Sequence, residues 1–286
     1  MANLTQVLGA TPSLAKTTPP RVPSRSVLRG EVAVVTGAGG GIGRALCHAL
    51  AAAGCRLGLI NRTADKLDTI TQELKPTGVA LSAHAVDIRY SEALTAALAA
   101  IESDLGPVDL LIHNAGVAHV TQATAPELDD FEEMLRVNYL GGVYAIAAVL
   151  PGMIARGHGR IVAISSLGSH RGMAWSAGYS ASKAAISTYL ESLRPALRLR
   201  GIQVTTMFLG FVDTPMTRAM PLGLPVWMMR PERATRHIVR AIVRGRREAS
   251  APWHEAFFMA ILRHFPAWVF DWFMATFGRR IIKGDY

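Results

Sequence analysis

Cysteine is scarce. Cys47 and Cys55 are the only two among 286 residues. So few thiols exclude a disulfide framework and fit a reducing compartment. Neither stands in a metal-ligand spacing, so no metal site is expected. Cys47 falls in an apolar helical stretch, where a small buried hydrophobe is its ordinary role. Acids are also lacking at the start, with none before Glu31. Residues 1–28 mix Thr, Ser and Pro with scattered Arg and Lys and hold no continuous apolar run for a secretory signal. They read as a disordered arm broken by Pro19-Pro20 and Pro23, with a transit-like leader as the lesser reading. The formal charge is +9, and residues 227–286 supply most of it, with eleven Lys/Arg against five Asp/Glu. No zinc spacing or nucleic-acid motif accompanies that charge, so no nucleic-acid partner is expected.

What is present begins with a hydrophobic content of 50%, enough for one domain with a large core plus appendages. The run Val32-Ala33-Val34-Val35-Thr36 leads into Gly37-Ala38-Gly39-Gly40-Gly41-Ile42-Gly43 and then into Arg44–Ala51. This reads as a buried strand, a glycine turn and a helix. Glycines there let backbone approach a pyrophosphate, and the helix N-terminus offers free N–H groups and a positive dipole end. The spacing is Gly37-x3-Gly41-x-Gly43, which differs from the commoner G-x-G-x-x-G. A bland tight turn uses the same residues.

A second signal is Tyr179-Ser180-Ala181-Ser182-Lys183, with Ser166 thirteen positions upstream of the tyrosine. A free phenol has a pKa of about 10, so a general acid–base role needs tuning. Residues four apart share a helix face, which sets Lys183 beside Tyr179 as the cation that favours phenolate. Ser166 can donate to a reacting oxygen. Ser165 is one position off that spacing and reads as structural.

Between these signals the pattern alternates. Strands are predicted at Val32–Thr36, Arg56–Ile60, Val79–Val86, Val108–His113, Arg160–Ser165 and Gln203–Leu209. Helices are predicted at Thr63–Leu74, Ser91–Leu105 with Ser91 as N-cap, Leu128–Leu150, Tyr179–Leu199 and Pro231–Arg247. Such alternation argues for an α/β fold: a single Rossmann-type, doubly wound parallel sheet in residues 29–250 with helices on both faces. Thr36, Asp87, Asn114, Ser166 and Gly210 all follow strands, which gathers the chemistry on one sheet edge.

The chain resembles the short-chain dehydrogenase/reductase family over about residues 30–250. The glycine turn, His113-Asn114-Ala115-Gly116, Val137-Asn138, Ile164-Ser165-Ser166, Tyr179-x3-Lys183 and Gly210-Phe211-Val212-Asp213-Thr214-Pro215 carry the likeness. His113 stands where the family carries asparagine, and Leu209 where it carries proline. The resemblance implies an oxidoreductase that moves hydride between a nicotinamide dinucleotide and a carbonyl or secondary alcohol. Its catalytic set would be Asn138, Ser166, Tyr179 and Lys183. Tyr179 would be the acid/base, Lys183 would also hold the ribose, and Asn138 would support a water relay. The cofactor would be held by Gly37, Gly39, Gly41, Ile42, Gly43, Asp87, Ile88, Asn114, Ala115, Gly116, Tyr179, Lys183, Val212 and Thr214. At the end of the second strand, Asn61-Arg62 replaces the carboxylate that would bind a free ribose. A neutral amide beside a guanidinium favours NADP(H), with NAD(H) as the alternative.

By the same analogy residues 168–178 and 216–229 border the substrate. His170, Met173, Trp175, Met216, Met220, Trp227, Met228 and Met229 give an adaptable apolar lining, with His119 a further candidate. Ser166, His170, Trp175 and Tyr179 are the expected substrate contacts, and a lipid-, steroid- or aromatic-like carbonyl is the expected substrate. The family also implies a homo-oligomer through helices resembling 128–150 and 179–199.

Residues 251–286 form an aromatic-rich, apolar helical extension. Arg263, His264, Pro266 and Asp271 interrupt it, so a spanning helix is not expected. Three readings stay open: an added core helix or lid, a peripheral membrane contact, and an oligomer contact. The expected location is cytoplasmic, with the inner membrane surface as a peripheral site. Rival functions are a non-catalytic dinucleotide-binding regulator, an epimerase or dehydratase of the same fold, and a peripheral membrane scaffold.

Overall fold

The computed structural model describes residues 28–121, 124–220 and 227–278. Most of the arm expected at 1–28 and the end of the extension therefore lie outside the described residues. Leu28, assigned to that arm by sequence, is buried in the core, and its carbonyl accepts a hydrogen bond from the Cys55 thiol.

The described residues hold seven strands: β1 (Val32–Thr36), β2 (Arg56–Asn61), β3 (Leu81–Ala85), β4 (Leu110–His113), β5 (Gly159–Ser166), β6 (Ile202–Leu209) and β7 (Glu248–Ala251). They form one parallel sheet in the order β3-β2-β1-β4-β5-β6-β7. Helices α1 (Gly41–Ala52), α2 (Ala64–Leu74) and α8 (Pro231–Val243) pack on one face. On the other lie α3 (Ser91–Leu105), α5 (Gly141–Arg156) and α6 (Ala177–Leu199). β1 explains its own sequence: Ala33 and Val35 face the first core, Val32 and Val34 the second. A strand covered on both sides needs an unbroken apolar run. After β1 the chain winds one way to β2 and β3, then returns through β4 on the other side. Such a reversal opens a crevice at the carboxyl ends of β1 and β4.

Four sequence expectations need correction. β7 escaped prediction because Glu-Ala-Ser-Ala has no β-branched or aromatic residue, and its register on β6 (Thr206 to Glu248, Leu209 to Ala251) comes from tertiary packing. Ser91 is the first helical residue, and Tyr90 takes the cap position with extended backbone. The basic helix predicted to Arg247 ends at Val243. The helix expected at 128–150 runs on to Arg156 through Pro151 and is interrupted within. It comprises α4 (Leu128–Leu135), a π-turn at Arg136–Leu140, and α5. This 29-residue helix is long and apolar enough to cross a membrane, yet its buried residues pack on the sheet.

Past β7 the extension forms α9 (Trp253–Arg263) and α10 (Ala267–Phe273). Met259 and Leu262 of α9 pack on Leu167 and Phe208, and Phe270 and Met274 pack on Trp175. The extension thus closes over the carboxyl end of the sheet beside Ser166.

Candidate active site

β5 ends at Ser166, and α6 begins eleven residues later, so Ser166 and Tyr179 meet at the same sheet edge. The Ser166 hydroxyl sits close enough to the Tyr179 phenol to act on its ionisation, and it accepts from Gly168 N–H at 3.1 Å. One turn along α6, buried Lys183 donates from Nζ to the Ile164 carbonyl at 2.8 Å. Its Nζ lies 5.9 Å from the Tyr179 ring centroid. Burial pushes the lysine down to about 8. Burial also raises the tyrosine pKa, and Ser166 offsets only part of that rise. The lowered phenol expected from sequence is therefore not what the protein alone produces. Desolvation of the phenolate outweighs its neighbours.

The π-turn turns Asn138 inward, as such insertions often do at functional sites. Its Oδ1 accepts from Val117 N–H (2.8 Å), and its Nδ2 donates to the Val117 carbonyl and to Ser182 Oγ (both 2.9 Å). Ser182 in turn donates to the Tyr179 carbonyl (2.8 Å). His113 lies beneath. Its Nε2 is 3.2 Å from the Asn138 carbonyl, and its Nδ1 is 3.3 Å from Thr36 Oγ1. Thr36 Oγ1 already accepts from Asn114 and Ala115 N–H, so its own proton goes to Nδ1 and Nε2–H donates to the carbonyl. Burial, with the Lys183 ammonium adding to it, pushes His113 down to about 4, so the ring is neutral. Ser165 bonds to Ser187 and to the Lys183 carbonyl, a structural role.

A glycine-lined cleft of about 380 Å³ opens at the crevice between β1 and β4. Of the residues expected to hold a cofactor, Gly37, Gly39, Gly41, Ile42, Asn61, Arg62, Asp87, Ile88, Asn114, Ala115, Gly116 and Thr214 line it. Gly43 and Val212 do not. A Cβ at Gly43 would lie 2.0 Å from the Gly37 carbonyl, so this glycine closes α1 onto the turn. Val212 is buried in the core, bridged to Met229, and holds the approach to Thr214. Tyr179 and Lys183 lie behind the cleft wall. Gly116 leaves the way open, since a Cβ there would come within 3.3 Å of Lys183 Nζ.

Asn61 accepts from Gly39 N–H at 3.4 Å and donates to the Thr63 carbonyl at 2.9 Å, tying the glycine turn to α2. Arg62 reaches Glu133 of α4 at 3.1 Å, and His119 bonds the same carboxylate at 2.8 Å. His119 lines neither the cleft nor the apolar cavity and is held on Glu133 instead. Burial raises Asp87, but hydrogen bonds from the Arg89 side chain and backbone N–H outweigh it and hold Asp87 below its ordinary range. Lys66 also lines the cleft and was missed. The available signal was its position in the first turn of the helix after β2, four residues from Arg62.

An apolar cavity of about 420 Å³ adjoins the cleft at Met216. Ser166 and Tyr179 line it, with Met173, Trp175, Met220 and Trp227 from the predicted border. His170 does not line it. The short turn Leu167–Ser169 carries its ring onto Phe208, with centroids 4.4 Å apart. Met229 is core, and Met228 lines a separate surface groove. About half of the remaining wall comes from the extension: His254, Glu255, Phe258, Met259, Leu262, Phe273 and Met274. Glu255 is partly buried there, and its Oε2 accepts from Phe211 N–H at 3.2 Å. Burial raises its pKa against that bond.

The sequence pattern described as short chain dehydrogenase matches residues 31–223. The chain belongs to the short-chain dehydrogenase family. An uncharacterized oxidoreductase of Myxococcus xanthus is 35% identical over 84% of this chain and 95% of its own. A galactitol 2-dehydrogenase (L-tagatose-forming) of Cereibacter sphaeroides is 39% identical over 68% of this chain and 78% of its own. Among solved structures, an alcohol dehydrogenase of the archaeon Thermococcus sibiricus complexed with 5-hydroxy-NADP has a TM-score of 0.69 at 26% identity. It covers 77% of this chain and 95% of that one. As a short-chain dehydrogenase the protein is an oxidoreductase using a nicotinamide dinucleotide on small carbonyl or alcohol substrates. The residues present fit that cofactor. The cap of α1 is Gly40 with no side-chain bond, and its first turn has no acid, which leaves N–H groups free for a pyrophosphate.

Proposed function

We propose that this short-chain dehydrogenase interconverts an apolar carbonyl compound and its secondary alcohol, prefers NADP(H), and uses Tyr179 as the acid/base. The observation that carries the reading is the placement of Ser166 and Tyr179 in the wall of an apolar cavity next to the glycine cleft. The bound nicotinamide supplies or accepts the hydride. Gly37, Gly39 and Gly41 would hold the pyrophosphate, and Thr214 and Gly116 the nicotinamide end. In reduction, Tyr179 gives its proton to the substrate oxygen, and Ser166 Oγ–H donates to the same oxygen. Lys183 keeps a cation behind the phenol and stabilises the phenolate left after transfer. Asn138 fixes the loop after β4 against α6, so the phenol and the ammonium keep their places. The cavity's methionines and aromatics favour a lipid-, steroid- or aromatic-like substrate over a sugar, unlike the galactitol-active relative. Much of that wall lies beyond residue 223, outside the family pattern.

Tyr179→Phe is expected to cut turnover by roughly 10²–10⁴-fold with cofactor affinity nearly unchanged. Turnover within a few-fold of the native enzyme would overturn the assignment. NADP(H) preference rests on Arg62 and Lys66 in a cleft where no carboxylate ends β2. Fluorescence titration of Arg62→Ala should lower NADPH affinity by about tenfold and leave NADH binding alone. Equal losses for both nucleotides would remove Arg62 as a phosphate anchor.

A further inference from the structure

The helices of the extension are apolar on both sides. On α9, Met259 and Leu262 face the cavity. Trp253 and Phe257 face out, 77% and 63% exposed, and exposed Ile261 continues the stripe at the next four-residue step. On α10, Phe270 faces in, and Trp268 and Trp272 are 74% and 63% exposed. A helix that only roofed a cavity would carry polar residues outside. Large exposed indoles are favoured at a membrane–water interface, where the ring has an apolar body and a polar edge.

Cations border the stripe. Exposed Arg263 and His264 end α9. At the other end, the Trp253 ring lies 5.9 Å from His254, which is 5.3 Å from the Trp227 ring. Arg233 sits 5.5 Å over that Trp227 ring, with Arg230 and Arg236 in the same groove. Glu232 and Asp271 are the exposed acids among these elements. Trp227 and Phe258 line the cavity and are about half exposed, so the cavity reaches the surface next to the stripe.

We infer that the outer face of α9 and α10, rimmed by Arg233, Arg236 and Arg263, seats the protein on an anionic membrane surface, with the cavity mouth beside that seat. The charge argues for a bilayer over a second copy. A second copy would bury these arginines against a face that offers few carboxylates, whereas anionic headgroups neutralise them. Apolar substrate then enters from the acyl layer without crossing water.

The test uses the full chain with vesicles of phosphatidylcholine, with and without phosphatidylglycerol, read by co-sedimentation and tryptophan emission. The native protein should bind the phosphatidylglycerol vesicles, shift its emission to the blue, and release with salt. Trp253→Ser with Trp268→Ser should weaken binding by about tenfold or more. Arg233→Glu with Arg236→Glu should weaken it by a similar factor. The arginines are exposed, so this second pair decides the matter should the tryptophan pair fail to fold by circular dichroism. Absence of binding by the native protein, or binding that the folded variants retain in full, would overturn the inference. So would a lipid-free dimer that the tryptophan pair splits, which would make the stripe a self-association surface. None of these readings uses turnover, so they are independent of the reductase proposal.

Discussion

The two cavities that share Met216 are close in volume, about 380 and 420 Å³, yet differ in how they are built. The glycine cleft is made mostly of segments that follow β1, β2, β3, β4 and β6, with Lys66 of α2 and Val137 of the π-turn added. Most of its parts are local, set by backbone geometry at a strand end. The apolar cavity is lined mostly by methionine, leucine and aromatic side chains from three remote segments, one of them the extension. In the function proposed above, the cofactor is held largely by strand-end turns and the substrate by side chains recruited late in the chain.

The strongest way to break that comparison is at His113, which underpins the cleft side. Its folded pKa is about 4 against an ordinary 6.5. Between these values the unfolded chain binds more protons, so stability rises with pH and is lost as pH falls from 6.5 toward 4. The full loss is roughly 3 kcal/mol. His113→Asn should flatten the fall of Tm over that window, and an unchanged acid slope would remove His113 as its source. Next in size, Phe258→Ala should lower kcat/KM for an apolar carbonyl by about tenfold and leave cofactor affinity intact. A parallel loss of cofactor binding would mean that the cavities are not separable.

The smallest effect belongs to Glu255, which ties the extension to the segment after β6. Its pKa is raised by burial, so its contribution to stability is greatest below about 4.5 and is lost as pH rises through the raised value. Glu255→Gln keeps an acceptor for Phe211 N–H and removes that cost. A Tm gain of about 1–2 °C at pH 8, absent at pH 4, is expected.

Much of the cleft was legible in sequence because strand, glycine turn and helix are neighbours in the chain. Tyr179, Lys183 and Ser166 were legible because a four-residue helical step and a strand end fix their meeting. β7 was not, since its pairing is imposed by β6 on residues with no preference for strand. Nor was the Arg62–Glu133 pair, which joins a loop to a helix 71 positions away. His170 was misread because a single turn of backbone decides which way its ring faces. The outer cavity wall was hidden for the reason that also made the extension ambiguous: α9 and α10 are apolar on both faces, so no periodicity marks the side that packs.

Gly210 carries a consequence of its own. Any side chain there would begin 1.8 Å from Glu255 Oε2. The identities of positions 210 and 255 are therefore bound together as the chain drifts. A lineage that keeps the carboxylate on Phe211 N–H favours the glycine, and one that drops the acid relieves the crowding at a position in the wall of the apolar cavity.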